Sequence, residues 1–219
     1  MTAIPPIRGS KASDPRQGSE ALEIGRLLRS GTTGFIMGCR VAQLQEPAFG
    51  ALVRAPITDD YQVYGLIYDI HIDDDGLVRQ LVTSTNPVTE EVMKDNRTNR
   101  NVPVEISVLS VGYQQGDTIY HLLPPRPPLS LDRIYACEDS ELRAFTSVGR
   151  FGYFRHILRA ADLPIGELLA AHLQQAQAAH RTASSLDWIN RATQERIILL
   201  RDDYPTLMSV LGAVGELWK

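Results

Sequence analysis

The chain has 219 residues, 43% of them apolar and 22% charged, the balance of a folded protein able to bury a real core in one large domain or two small ones. Its two cysteines, Cys39 and Cys137, form no C-x-x-C pair, and its net charge is −4, so a disulfide framework, a zinc ribbon and a global pull toward polyanions are all excluded. The acidity is uneven: residues 31–130 carry seven basic and twelve acidic side chains, a net −5, against ten and eleven in residues 131–219, which suits the first half to a protein partner better than to DNA phosphates.

Residues 1–30 read as a flexible tail. Pro5, Pro6, Arg8, Lys11, Asp14 and Gly18 interrupt the first twenty residues without any apolar core segment. Neither a secretory signal nor a membrane anchor is expected there, and a reducing cytoplasm is the default location.

Short strands are predicted next. Phe35 to Val41, Phe49 to Pro56 and Gln62 to Ile72 are β-branched, aromatic runs interrupted by Gly38, Gly50 and Gly65, glycines of the kind that bend strands into barrels. In the third run Tyr64, Leu66, Tyr68, Ile70 and Ile72 share one parity while Val63, Gly65, Ile67, Asp69 and His71 share the other. Asp73-Asp74-Asp75-Gly76 supplies a turn before a further strand at Leu77 to Val82. As a calcium loop centred on Gly76 it would place His71 first and Val82 twelfth, where carboxylates are required, so the solvated turn is preferred. Val88 to Asp95 is a helix candidate and Asn96 to Asn101 a polar loop. Val104 to Tyr113 and Thr118 to Leu123 complete five or six strands, which a small closed or nearly closed barrel would hide most economically.

Pro124-Pro125-Arg126-Pro127-Pro128 then breaks the pattern, because proline fixes φ and offers no backbone N–H. After one extended segment to Ala136 the periodicity turns helical. Glu138 to Phe145 begins a helix with acids in its first turn. Glu167 to Arg181 carries Leu168, Leu169, His172, Leu173 and Ala176 on one stripe. Ser184-Ser185 caps a helix running to Leu200 with Trp188, Ile189, Ala192 and Leu199 at helical spacing. The last helix, Tyr204 to Trp218, is entered through Asp203 and Pro205 and repeats Tyr204, Leu207, Met208, Leu211, Val214 and Trp218 along one face. The expected class is therefore α+β, with a tail at 1–30, a five- to six-stranded barrel and its exit strap at 31–136, and a helical domain at 137–219.

No segment announces a reaction. The chain lacks a Walker lysine after Gly31-Thr32-Thr33-Gly34 and has no G-x-S-x-G elbow, G-x-G-x-x-G turn or H-E-x-x-H helix. His71, His121, His156, His172 and His180 are scattered, and the last two are about 80° out of register on a helix, so no metal, cofactor or catalytic residue is expected. One cluster is a candidate contact site for a partner or for nucleic acid: Arg150, Tyr153, Phe154, Arg155 and Arg159, where arginines alternate with aromatic rings. The plainer reading of the same segment is a helix whose aromatics face the core and whose arginines face water.

Gly34-Phe35-Ile36-Met37-Gly38, Val63-Tyr64-Gly65-Leu66-Ile67, and the stretch from Pro127 through Ala136 to Leu142 are similar, in kind and order, to the elements of a HAS barrel. That is the small β-barrel at the N-terminus of HerA-type hexameric DNA-translocating ATPases and of F-type ATP synthase subunits, and the HerA version is the closer. The resemblance covers residues 32–145 and implies a barrel that docks a protein partner, an ATPase or nuclease such as NurA, in DNA-end processing, with homo-oligomers as a further expectation. It does not carry over ATPase activity, because the RecA-like motor is replaced by helix. The sequence thus leads to a non-enzymatic interaction module, with two alternatives left open: a nucleic-acid binder using the basic-aromatic cluster, and an enzyme or small-ligand binder with an unmarked site.

Overall fold

The computed structural model describes residues 22–40, 47–72, 83, 89–91, 103–182, 187–200 and 203–216. Six strands close into an antiparallel barrel: β1 (Glu23–Ser30), β2 (Gly34–Arg40), β3 (Leu52–Thr58), β4 (Tyr61–Ile72), β5 (Pro103–Gln115) and β7 (Arg133–Ala136). Around the ring β1 pairs with β2 and β7, β7 with β3, β3 with β4, β4 with β5, and β5 returns to β2. The short β6 (Thr118–Tyr120) continues along the edge of β5 that β2 leaves free, pairing Tyr113 with Tyr120 and Gln115 with Thr118.

Closure follows from the register of β2 on β5, where Gly34 faces Leu109 and Arg40 faces Pro103. A Cβ on Gly34 would lie 2.6 Å from the Val108 carbonyl oxygen, so the absence of a side chain lets the two backbones meet. Inward-pointing Ile24, Leu27, Phe35, Met37, Val63, Ile67, Val104, Ile106 and Ile134 fill the lumen. Each such side chain contributes about 2 kcal/mol on burial, and together they form a packed core in the interior.

Three expectations are corrected here. The predicted tail ends before residue 30, because Glu23–Ser30 is a barrel strand with Ile24 and Leu27 inside; residues 1–21 lie outside the described set. The strand predicted from Phe49 begins at Leu52, because Gly50 adopts φ of 81° and stands against the next layer, where a Cβ would meet Ala171 Cβ at 2.7 Å and the His172 backbone nitrogen at 2.8 Å. The strand predicted to Leu123 stops at Tyr120, leaving Leu122 and Leu123 exposed. The predicted turn at 73–76, the strand at 77–82, the loop at 96–101 and the cap at 184–185 lie outside the described residues, as does most of the helix predicted at 88–95, of which Glu90 and Glu91 are helical.

The proline segment is fastened to the barrel as it leaves. Tyr61 donates from its hydroxyl to the Arg126 carbonyl at 2.9 Å, Ser30 donates to the Pro128 carbonyl at 2.6 Å, and the backbones of Leu27, Leu131 and Asp132 exchange bonds of 2.8 and 2.9 Å. The chain then enters β7, so the exit segment is itself a barrel stave.

Five helices follow: α1 (Asp139–Ser147), α2 (Phe154–Leu158), α3 (Ile165–Thr182), α4 (Asp187–Leu200) and α5 (Tyr204–Glu216). Glu138 caps α1, and its side chain and that of Glu141 form a reciprocal capping box. On α3 the expected stripe of Leu168, Leu169, His172, Leu173 and Ala176 is fully inward. In α4 the inward residue near the end is Leu200 while Leu199 is exposed. In α5 the expected stripe is split: Val210 is buried and Leu207 packs inward, but Tyr204, Met208 and Leu211 face out. The rotation is set by close approach of α5 to α3, where a Cβ on Gly166 would lie 3.0 Å from Ser209 Oγ.

The helices cover the outer face of the sheet and create a second core. Leu52, Tyr64, Leu66 and Val111 point away from the lumen into Phe145, Tyr153, Leu169 and Leu173. This is why β4 is buried on both faces over its first half, and why its two parities both belong to cores.

Candidate contact site and the barrel–helix junction

The basic-aromatic segment does not form one helix. After α1 the backbone turns through a 3₁₀ segment, Gly149–Phe151, in which Arg150 and Phe151 have φ of 48° and 59°, and α2 starts only at Phe154. The result divides the five predicted residues. Tyr153 and Phe154 are fully buried, Arg155 is half-buried, and only Arg150 and Arg159 are exposed. The aromatic members offer no face for stacking, because the second core holds them.

What the structure assembles instead is a buried aromatic and histidine junction. His121, Phe145, Tyr153 and Phe154 form a run of ring contacts with centroids 4.7 to 5.2 Å apart. Phe151 extends it edge-on to Trp188, and Trp188 stacks on His180 at 4.6 Å. With His172 edge-on to Tyr153 and His156 bonded to the His121 carbonyl, four histidines meet at this junction.

Their protonation follows from their partners. His172 Nδ1 lies 3.2 Å from the Gly50 carbonyl oxygen, which can only accept, so Nδ1 carries the proton; Nε2, 3.0 Å from the Tyr153 hydroxyl, is then the acceptor. A second proton on this ring would leave the tyrosine hydrogen without its acceptor in a dry site. Burial accordingly pushes His172 down to about 4, against a smaller opposing pull from the Gly50 carbonyl. Burial likewise lowers His121 to about 4; its Nε2 donates to the Phe145 carbonyl at 3.0 Å, and its Nδ1 is buried with no hydrogen-bond partner among the described residues.

The His121 carbonyl oxygen accepts from both the Arg155 guanidinium and His156 Nε2, so Arg155 is a structural tie between α2 and the segment after β6. His156 and His180 are also lowered, chiefly by burial. Burial raises the hydroxyls of Tyr64 and Tyr153 and the Cys137 thiol. These groups are held neutral, the state of packing residues. No group of three or more His, Cys, Asp or Glu among the described residues is placed to hold a metal ion.

Two surface features remain. On the helical side Ile197, Ile198, Tyr204, Met208 and Leu211 are exposed large apolar residues, and α5 bears no charged residue before Glu216. Between the β1–β2 hairpin and the α2–α3 connection lies a cleft of about 600 Å³ with Arg159 among its lining residues. Helical spacing marked the apolar face of the last helix in the sequence but could not say that Tyr204, Met208 and Leu211 on it would stay uncovered. The cleft was not legible in the sequence, because it joins segments more than a hundred residues apart. No helix among the described residues is long and apolar enough to cross a membrane. No protein-family model matches the chain, and no curated protein matches it significantly.

Proposed function

We propose that the chain is a non-enzymatic assembly module: a HAS-type barrel with a helical extension that binds a HerA-type DNA-translocating ATPase, or that motor's nuclease, in DNA-end processing. The observation that carries the reading is the exposed apolar surface at the end of α4, where Ile198 faces solvent, and along α5, where Tyr204, Met208 and Leu211 do so on a helix with no charge of its own before Glu216. Apolar surface gathered in this way marks a protein contact. The filled barrel lumen supports a scaffold role over a reaction held inside the barrel. The fastened exit strap supports the barrel type, since it occupies the place and order that the resemblance implies.

The nucleic-acid alternative is weakened by the burial of Tyr153 and Phe154, which leaves Arg150 and Arg159 without the rings that would stack on bases. The assembly reading is tested by affinity capture with the tagged full chain from its native host, followed by mixing with the purified ATPase and nuclease. Co-elution with either, lost in Met208→Glu, is expected. Recovery of neither protein, and no complex on mixing, would overturn it.

A further inference from the structure

The outer wall of the barrel carries a cleft. Ile36 of β2, Tyr68 of β4 and Leu109 of β5 line a cleft of about 600 Å³ whose other side is built by Ala161 and Leu163, with Arg159 and Arg29 at its margin. That volume lies in the range of small-molecule sites. It is a site on the barrel's flank, and of the side chains that fill the lumen Phe35 and Val108 also border it.

Its electrostatics are one-sided. Arg29 is balanced by Glu105 at 3.2 Å. The guanidinium of Arg159, exposed where α2 ends, has no carboxylate, carbonyl or ring partner among the described residues. Half of the lining is polar, and the apolar half is a floor to which Ile36, Tyr68, Leu109 and Leu163 contribute; that floor next to one uncompensated guanidinium is complementary to a molecule with an acid group at one end and a flat apolar body at the other. A bare inorganic anion would leave the floor unused, and a neutral apolar molecule would leave Arg159 unpaired. A polyanion needs a row of cations, and the cleft supplies a single free one.

We propose that this cleft binds a small aromatic anion, its acid group on Arg159 and its ring against Tyr68 and Leu109. The proposal goes beyond the assembly reading and stands or falls separately from it.

The test titrates the full-length chain with the fluorescent anion anilinonaphthalene sulfonate and, in parallel, with its uncharged counterpart phenylnaphthylamine. Wild type should bind one equivalent of the sulfonate, more weakly as salt rises. Arg159→Glu should weaken sulfonate binding by about tenfold and leave the uncharged dye unchanged. Ala161→Trp, which fills the cleft from an exposed position, should abolish both. Benzoate should displace the sulfonate, and inorganic phosphate at equal ionic strength should not. Circular dichroism and thermal unfolding of both variants should match wild type. Sulfonate affinity unaltered by Arg159→Glu, or both dyes binding Ala161→Trp as they bind wild type, would overturn the proposal and place them elsewhere, as on the exposed face of α5.

Discussion

Arg54 and Glu141 join the two halves of the molecule: Arg54 Nε on β3 stands 2.7 Å from Glu141 Oε1 in the first turn of α1. The other carboxylate oxygen of Glu141 accepts from the Glu138 amide at 3.1 Å, and the guanidinium lies 4.9 Å over the Tyr135 ring of β7. One carboxylate therefore caps a helix and docks it on the barrel, in a setting where both side chains are mostly buried.

Replacing Glu141 should cost more than an exposed ion pair would. Glu141→Ala removes both the capping box and the partner of a largely buried cation, and should lower stability by about 2–3 kcal/mol, whereas Glu141→Gln keeps an acceptor for the cap and should cost about 1–2 kcal/mol. Urea unfolding followed by circular dichroism measures both. Equal losses would show that the charge itself contributes nothing.

The junction should make the fold sensitive to acid. His121 and His172 have folded values of about 4, below the ordinary 6.5 of an unfolded histidine, so the unfolded chain takes up protons first. The associated stability is complete above about pH 6.5 and is lost as pH falls toward 4, by about 3 kcal/mol for each ring. The double variant Tyr153→Phe/His172→Phe removes both members of one pair and should cut the dependence of the urea midpoint between pH 7 and about 4.5 by roughly half, the remainder belonging to His121. An unchanged slope would show that His172 is not a source of the acid lability.

Two glycines with positive φ separate backbone strain from packing. Gly116, with φ of 56°, has nothing within 4 Å of where a Cβ would sit, so Gly116→Ala should cost about 1 kcal/mol. Gly50 adds a clash with Ala171 and the α3 backbone to a φ of 81°, and Gly50→Ala should cost about 3 kcal/mol or more. Melting temperatures of the two variants should differ accordingly; matching values would mean that α3 moves aside at no cost.

The exposed face of α5 should matter to association and hardly at all to folding. Met208→Glu alters a side chain that is about half exposed, and its unfolding free energy should stay within about 0.5 kcal/mol of wild type. Light scattering at two concentrations, with and without the candidate ATPase, reads the association. A large loss of stability would mean that Met208 belongs to the core.

Much of the order of elements was legible locally. Alternation in residues 62–72, the proline break after Leu123, the acidic start of α1 and the inward stripe of α3 are properties of neighbouring residues, and the structure repeats them. The basic-aromatic cluster was legible in composition but not in conformation: Arg150 and Phe151 turn left-handed, so α2 begins at Phe154 and the rings go inward.

That a strand-rich half precedes a helix-rich half, with a proline strap between them, can be read from neighbouring residues, because periodicity and proline act over a few positions. Only the tertiary structure decided that Glu23–Ser30 is a stave, that β2 closes on β5 across some seventy residues, and that helices cover the outer face of β4. Alternation defines two faces of a strand but not what packs on each. Ring closure, the meeting of four histidines and the cleft beside Arg159 all depend on pairings between distant segments, whose register is set by side-chain packing and backbone approach in three dimensions.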